Sequence, residues 1–318
     1  MKRMFTLALA AVLALGLFSG CAEPAESARV SVVTTSFPLY DWARNVVGET
    51  AGVSVTWLQD SGVDPHSFQP SVEDLTRVSD CDLFVYVGGE SDEWTIDALR
   101  EAKNQKLTAL RLLDALGDAA VEEETVPGAE PEDEEADGAL DEHIWMSLRN
   151  AETCVAAIAQ ALETLDADHA ETYRANAEAY TARLRTLEQA YSDAVADGRQ
   201  HTILVADRFP FRYLAEDYGL AYYAAFSGCS AETEASFQTV TGLAETVDSL
   251  GLNVILVTEN GNGDIAETIS ENSREEPVIR VLDSLQSVTA EIAAEGVTYL
   301  SVMESNLVVL KEALRCRS

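Results

Sequence analysis

The sequence predicts an α/β protein of two lobes, each of about four βα units on a parallel sheet, joined by one long rigid helix. Three observations carry this. Short β-branched runs alternate with helical patterns on both sides of residues 168–197, and such alternation builds parallel sheets flanked by helices. Within 168–197, Tyr173, Ala177, Tyr180, Leu184, Leu187 and Tyr191 recur at steps of three and four, which puts an apolar stripe on one helical face. The chain has 318 residues, enough for two medium domains.

The first lobe, 29–165, reads as strands over 30–34, 53–58, 83–87 and 108–112, with helices over 39–47, 71–79 and 91–103 between them. Ser71 with Asp74 makes a capping signal. The linking segment, 166–198, is expected to hold a helix of about 30 residues, roughly 45 Å long. Asp168 is its expected N-cap, Glu171 completes a capping box, and Gly198 ends it in a left-handed turn. The second lobe, 199–318, reads as strands over 202–206, 221–225, 254–258 and 278–281, with helices over 209–218, 236–250, 264–272 and 298–314. In open α/β sheets ligands sit beyond the carboxyl ends of the strands, so two facing lobes make a cleft lined by residues that follow strands.

The chain begins Met1-Lys2-Arg3, then runs apolar to Phe18, and Ser19-Gly20 precede Cys21. That is a signal peptide over 1–20 with the pattern of a bacterial lipobox. Cys21 is the expected diacylglycerol carrier and 21–28 the tether, so the mature chain is expected outside the cell membrane and anchored to it. Four further cysteines, Cys81, Cys154, Cys229 and Cys316, allow three disulfide pairings in an exported chain, and free buried thiols are an equal reading. The absence of a CxxC pair gives no sign of a thiolate zinc knuckle.

Net charge is −34. Such a chain repels nucleic acid and bare anionic membrane, and its field draws cations. Residues 118–142 hold twelve acids and no Lys or Arg, and are expected to be a disordered acidic loop.

The four histidines divide in two. His169 and His201 read as solvated. His66 sits in a loop stiffened by Pro65 and Pro70, and His143 follows Asp141-Glu142 just before a helix near Leu148. Two imidazoles on rigid loops with acids beside them suit a metal. The second lobe offers Glu259 directly after the strand 254–258 and Asp207 directly after 202–206; Glu232 and Glu234 are expected behind the ligands. Two imidazoles with one or two carboxylates fit zinc, manganese or iron(II).

Thr35-Ser36-Phe37-Pro38-Leu39-Tyr40-Asp41, Asp64-Pro65-His66 with Gln69-Pro70-Ser71, Asp141-Glu142-His143-Ile144-Trp145, and Tyr299-Leu300-Ser301-Val302-Met303 with Asn306-Leu307 form a pattern that resembles the solute-binding lipoproteins of ABC importers for zinc and manganese. It extends in order from about Arg29 to the end. The resemblance implies a metal in the cleft and delivery to a membrane permease, with His66 and His143 as first-lobe ligands and Glu259 as the second-lobe carboxylate. In two places the chain departs from the pattern. The third His of zinc members would fall on Ala206, Asp207 or Arg208, which leaves Asp207 as the ligand expected there, with Arg208 beside it needing an acid such as Glu232. The loop before His143 is acidic rather than His-rich. The expected function is capture of a divalent metal, zinc with manganese the alternative, by a monomer that serves an ABC permease. A two-His hydrolase and an adhesin are the rival classes; the chain has no HExxH and no GxSxG.

Overall fold

The computed structural model describes residues 29–316 except 124, 130–138, 231–233, 262 and 275. The leader, Cys21 and the tether lie outside the described residues, as does Glu232.

The first lobe runs β1 (Val30–Thr34), α1 (Phe37–Val47), β2 (Val53–Trp57), α2 (Val72–Asp80), β3 (Leu83–Tyr86), α3 (Thr95–Arg100), β4 (Thr108–Arg111) and α4 (Leu112–Leu116). Two helices follow: α5 (Leu148–Leu165) and the linking α6 (Ala170–Asp197). The second lobe runs β5 (Thr202–Arg208), α7 (Arg212–Tyr218), β6 (Ala221–Phe226), α8 (Phe237–Leu250), β7 (Val254–Val257), α9 (Asp264–Glu271), β8 (Val278–Val281), α10 (Ala290–Ala294) and α11 (Tyr299–Ala313). The two sheets are parallel and share one topology, β2-β1-β3-β4 and β6-β5-β7-β8. No helix among the described residues is long and apolar enough to cross a membrane.

Strand alternation sets the layers. Val30 and Val32 of β1 face the main core while Val33 faces a smaller cluster with Leu58, Val78 and Phe84. In β5, Ile203 and Val205 face the main core while Leu204 and Ala206 face a cluster with Leu243, Val247 and Ile269. The main core is continuous through both lobes and the linking helix.

Helix α6 has 28 residues, so it is about 42 Å long. Its buried side chains are those of the stripe read from sequence, Tyr173 to Tyr191, extended by Ala194. Tyr180 donates to Asp41 Oδ2 on α1 at 3.0 Å, and Tyr191 donates to the Met303 carbonyl on α11 at 2.7 Å. One helix therefore ties both lobes by buried hydroxyls. Trp145 adds two further ties: its indole donates to the Ser284 carbonyl at 2.8 Å, and its carbonyl receives the Tyr299 hydroxyl at 2.6 Å.

Several local expectations are corrected. Asp168 does not cap α6; a 3₁₀ turn Ala167–His169 leads into it and Asp168 is exposed. Asp166 takes the local role instead, receiving Tyr173, Arg29 and the His169 ring, so His169 is not merely solvated. Gly198 has φ −62°, an ordinary value rather than a left-handed one. The helix expected over 91–103 is broken, because the Asp92 carboxylate turns back to accept Val87 N at 2.8 Å and Gly88 N at 3.0 Å. The helix expected from 209 starts at Arg212, since Phe209 precedes Pro210 and is steered away from helical backbone. All four cysteines of the described chain are free.

Contrary to the expected disorder, the described residues of the acidic segment make specific contacts. Glu122 bridges Leu140 antiparallel, Glu123 N donates to the Ala139 carbonyl at 2.8 Å, and Ala224 N of β6 donates to the Pro127 carbonyl at 3.2 Å. Val126 is 5% exposed. Val121, Val126 and Leu140 are apolar footholds that a segment-wide charge argument averages away.

Removing the Tyr180 hydroxyl tests the tie between α6 and α1. Burial raises the Asp41 carboxyl above its usual value while the Tyr180 hydrogen bond opposes the rise. Tyr180→Phe strips a donor from a buried acid and should cost about 1–3 kcal/mol in urea unfolding, with an unchanged denaturant slope. Stability equal to wild type would show that Asn45, 3.2 Å from Asp41 Oδ2, suffices alone.

Candidate metal centre

The cleft between the lobes has a volume of about 700 Å³ and is lined by Asp64, His66, Glu90 and Glu93 from one side and Asp207, Arg208 and Cys229 from the other. Four of these are carboxylates and one is a guanidinium, so the cleft keeps the cation-attracting sign of the whole chain.

Two rings meet behind it. His66 lies in a 3₁₀ turn, Pro65–Ser67, whose N-cap Asp64 accepts the His66 backbone N–H at 3.0 Å. His143 is fully buried at the start of the 3₁₀ turn Ile144–Met146. Its backbone N–H and its Nδ1 both reach Asp141 Oδ1, at 2.8 and 2.9 Å. On His66, Nδ1 lies 3.0 Å from Ser91 Oγ and 3.2 Å from Glu142 Oε1, while Ser91 donates its hydroxyl and its N–H to Glu142. Glu142 fits there because residue 89 is glycine: a Cβ would lie 2.2 Å from its Oε2.

With both Nδ1 atoms held by acceptors, both Nε2 lone pairs point inward, and the two Nε2 atoms are 3.3 Å apart. Burial, then the neighbouring His143, holds His66 below its usual pKa. Burial pushes His143 the same way, but the Asp141 charge and hydrogen bond outweigh it and raise His143. Two inward lone pairs at this distance compete for one proton or one cation.

The structure brings together His66, His143 and Cys229, whose ligating atoms all lie within 4.8 Å of one another; no other such group occurs among the described residues. The expected carboxylates are placed otherwise. Asp207 is not at a helix cap; it lies in the irregular end of β5, where its Oδ2 receives Thr258 Oγ1 at 2.5 Å and its Oδ1 the Arg208 N–H at 2.8 Å. Glu259 is turned toward the loop after β8, accepting Ser284 N at 2.7 Å, Ser284 Oγ at 2.9 Å, Gln286 N at 3.1 Å and Ser287 Oγ at 3.2 Å. Arg208 pairs across the cleft with Asp64; Glu232, the acid expected beside it, lies outside the described residues. Burial works against that charge, yet the Arg208 bond and charge hold the Asp64 carboxyl low. Glu234 is exposed in the loop before α8.

Sequence reasoning missed Cys229 and Ser91. By sequence, Cys229 reads as a disulfide partner or a buried thiol. The signal was its place shortly after β6, the kind of position that made Asp207 and Glu259 worth inspecting.

Fold and donor set together define a two-lobe α/β protein whose cleft gathers two imidazoles and a thiol that could hold a metal ion. The chain belongs to the family described as zinc-uptake complex component A, periplasmic, which matches residues 32–313. The chain is 31% identical over 319 residues to the zinc-binding lipoprotein AdcA of Streptococcus pneumoniae, covering 98% of this chain and spanning 61% of that protein's length. It is 27% identical over 293 residues to the high-affinity zinc uptake system protein ZnuA of Bacillus subtilis, covering 91% of this chain and 89% of that one. The solved Zn(II)-bound ZnuA-like domain of the pneumococcal AdcA matches with a TM-score of 0.71 at 30% identity, over 90% of this chain and 98% of that domain.

Asp141 sets the direction of the His143 ring. Asp141→Asn removes the charge that anchors Nδ1–H and should weaken zinc binding about 10–100-fold in competition with a chromogenic chelator. Unchanged affinity would mean that burial alone orients the ring.

Proposed function

We propose that the protein captures a zinc ion in its cleft, with His66 and His143 as ligands, and delivers it to an ABC permease at the cell membrane. The observation that carries this reading is the 3.3 Å separation of the two Nε2 atoms. Zinc–imidazole bonds of about 2.0–2.1 Å at tetrahedral angles put two such nitrogens roughly 3.3–3.4 Å apart. The family and the zinc-binding relatives support the choice of cargo. Manganese is less well served, because it prefers a harder, oxygen-rich set, and the two candidate oxygen ligands, Asp207 and Glu259, are occupied in hydrogen bonds. In this reading Asp207 joins the ends of β5 and β7, and Glu259 holds the 284–287 loop.

Residues 1–20 are the signal peptide, and Cys21 carries the lipid that keeps the protein, a monomer, at the outer face of the membrane. Two acyl chains at about 0.8 kcal/mol per buried CH₂ give stable anchoring. Cys21→Ala should therefore move the protein into the soluble extracytoplasmic fraction; retention on membranes after a salt wash would contradict the anchor.

Titration of the full chain with zinc and manganese tests the cargo. His66→Ala and His143→Ala should each lose more zinc affinity than the roughly 10–100-fold that an outer partner supplies, and cells carrying either variant should fail to accumulate zinc when it is scarce. Wild-type affinity in either variant removes that residue from the site. A preference of the unmodified protein for manganese at equal free concentrations overturns zinc as cargo.

A further inference from the structure

We propose that Cys229 supplies a thiolate as the third ligand, so that the cargo is held by two imidazoles from the first lobe and one sulfur from the second. This rests on the reading that His66 and His143 bind the metal, and names the ligand that closes the site from across the cleft.

The placement comes first. The Cys229 sulfur and the two histidine donor atoms lie within 4.8 Å of one another, and Cys229 lines the same cleft as His66. For tetrahedral zinc with Zn–N near 2.0–2.1 Å and Zn–S near 2.3 Å, nitrogen and sulfur sit roughly 3.6 Å apart. Each nitrogen–sulfur distance, at most 4.8 Å, therefore shortens by about 1.2 Å or less, within reach of a side-chain adjustment.

The approach is built into the backbone. Residue 228 is glycine, and a Cβ there would lie 3.1 Å from Cε1 and 3.3 Å from Nδ1 of His143, and 3.0 Å from the Phe209 carbonyl. These distances are too tight for most side chains. Without one, the chain after β6 lies against the imidazole, and the next residue brings its sulfur beside the Nε2 pair. The thiol also bonds to Glu123, in the ordered stem of the acidic segment, which ties this loop to the first lobe's side of the site.

The chemistry of the third position follows. At the end of β5, where a ligand from the second lobe was expected, Arg208 pairs with Asp64 and Asp207 bonds to Thr258. Neither is directed at the Nε2 pair. A thiolate there makes an N₂S set with a fourth position open to the cleft. Soft sulfur favours zinc and disfavours manganese, so Cys229 is also a selectivity residue. Binding would release the thiol proton to solvent.

The test loads the full chain with cobalt(II), whose bond to a thiolate absorbs in the near ultraviolet. Unmodified protein should show this band, zinc should displace it, and bound zinc should protect Cys229 from iodoacetamide as read by peptide mass spectrometry. Cys229→Ser should lack the band, lose more than the roughly 10–100-fold in zinc affinity that an outer partner supplies, and discriminate less against manganese. If zinc binds and His66→Ala abolishes binding, yet the unmodified protein shows neither band nor protection and Cys229→Ser binds as wild type, the thiolate is overturned while the cargo reading stands. If the unmodified protein binds no zinc, the cargo reading fails and this inference with it. Should Cys229→Ser misfold, the band and the protection in unmodified protein decide alone.

Discussion

The site depends on one short stretch, Asp141-Glu142-His143. Asp141 holds the ring of His143. Glu142, through its own oxygen and through Ser91, holds the ring of His66. Two consecutive carboxylates thus fix the outer nitrogen of both imidazoles, and both inner nitrogens must face one point. Asp141 and Glu142 are each 3% exposed, so neither anchor is diluted by water, and an acid buried this deeply is costly unless its oxygens are used. The Tyr213 hydroxyl, from the second lobe, bonds to the Asp141 carbonyl at 2.8 Å and holds the stretch in place from the other side.

That arrangement requires lobes that keep their spacing. The continuous core, the buried hydroxyls of Tyr180 and Tyr191 on α6, and the two bonds of Trp145 supply it. Interiors packed in this way have a few discrete arrangements rather than a soft continuum. Adjustment at the site therefore falls to the strand-end loops, where Gly228, Cys229 and the Arg208–Asp64 pair sit. Local change there, rather than wide opening of two lobes, is the motion this architecture favours.

Much of the scaffold could be read from the chain, because the signals were strong and local. The strands at Val30–Thr34 and Val278–Val281 fall where their β-branched runs put them, and the buried face of α6 is the stripe from Tyr173 to Tyr191. His66 and His143 stood out by their loops, and the structure brings them together. What escaped was decided by contacts between distant residues. Asp168 looked like a cap by spacing, but Asp166 gathers Tyr173, His169 and Arg29. Arg208 takes Asp64, 144 positions away. Glu259 follows a strand end as a ligand would, yet its direction is set by donors from Ser284 to Ser287. The nearness of Cys229 to the rings depends on packing at Gly228 that no local pattern encodes.

The central claim is a zinc site made of two imidazoles and one sulfur. X-ray absorption at the zinc edge of the metal-loaded full chain reads that set directly. The account predicts one sulfur scatterer near 2.3 Å with imidazole scattering from two rings at about 2.0–2.1 Å. A shell of oxygen and nitrogen alone, or one without imidazole scattering, would contradict it.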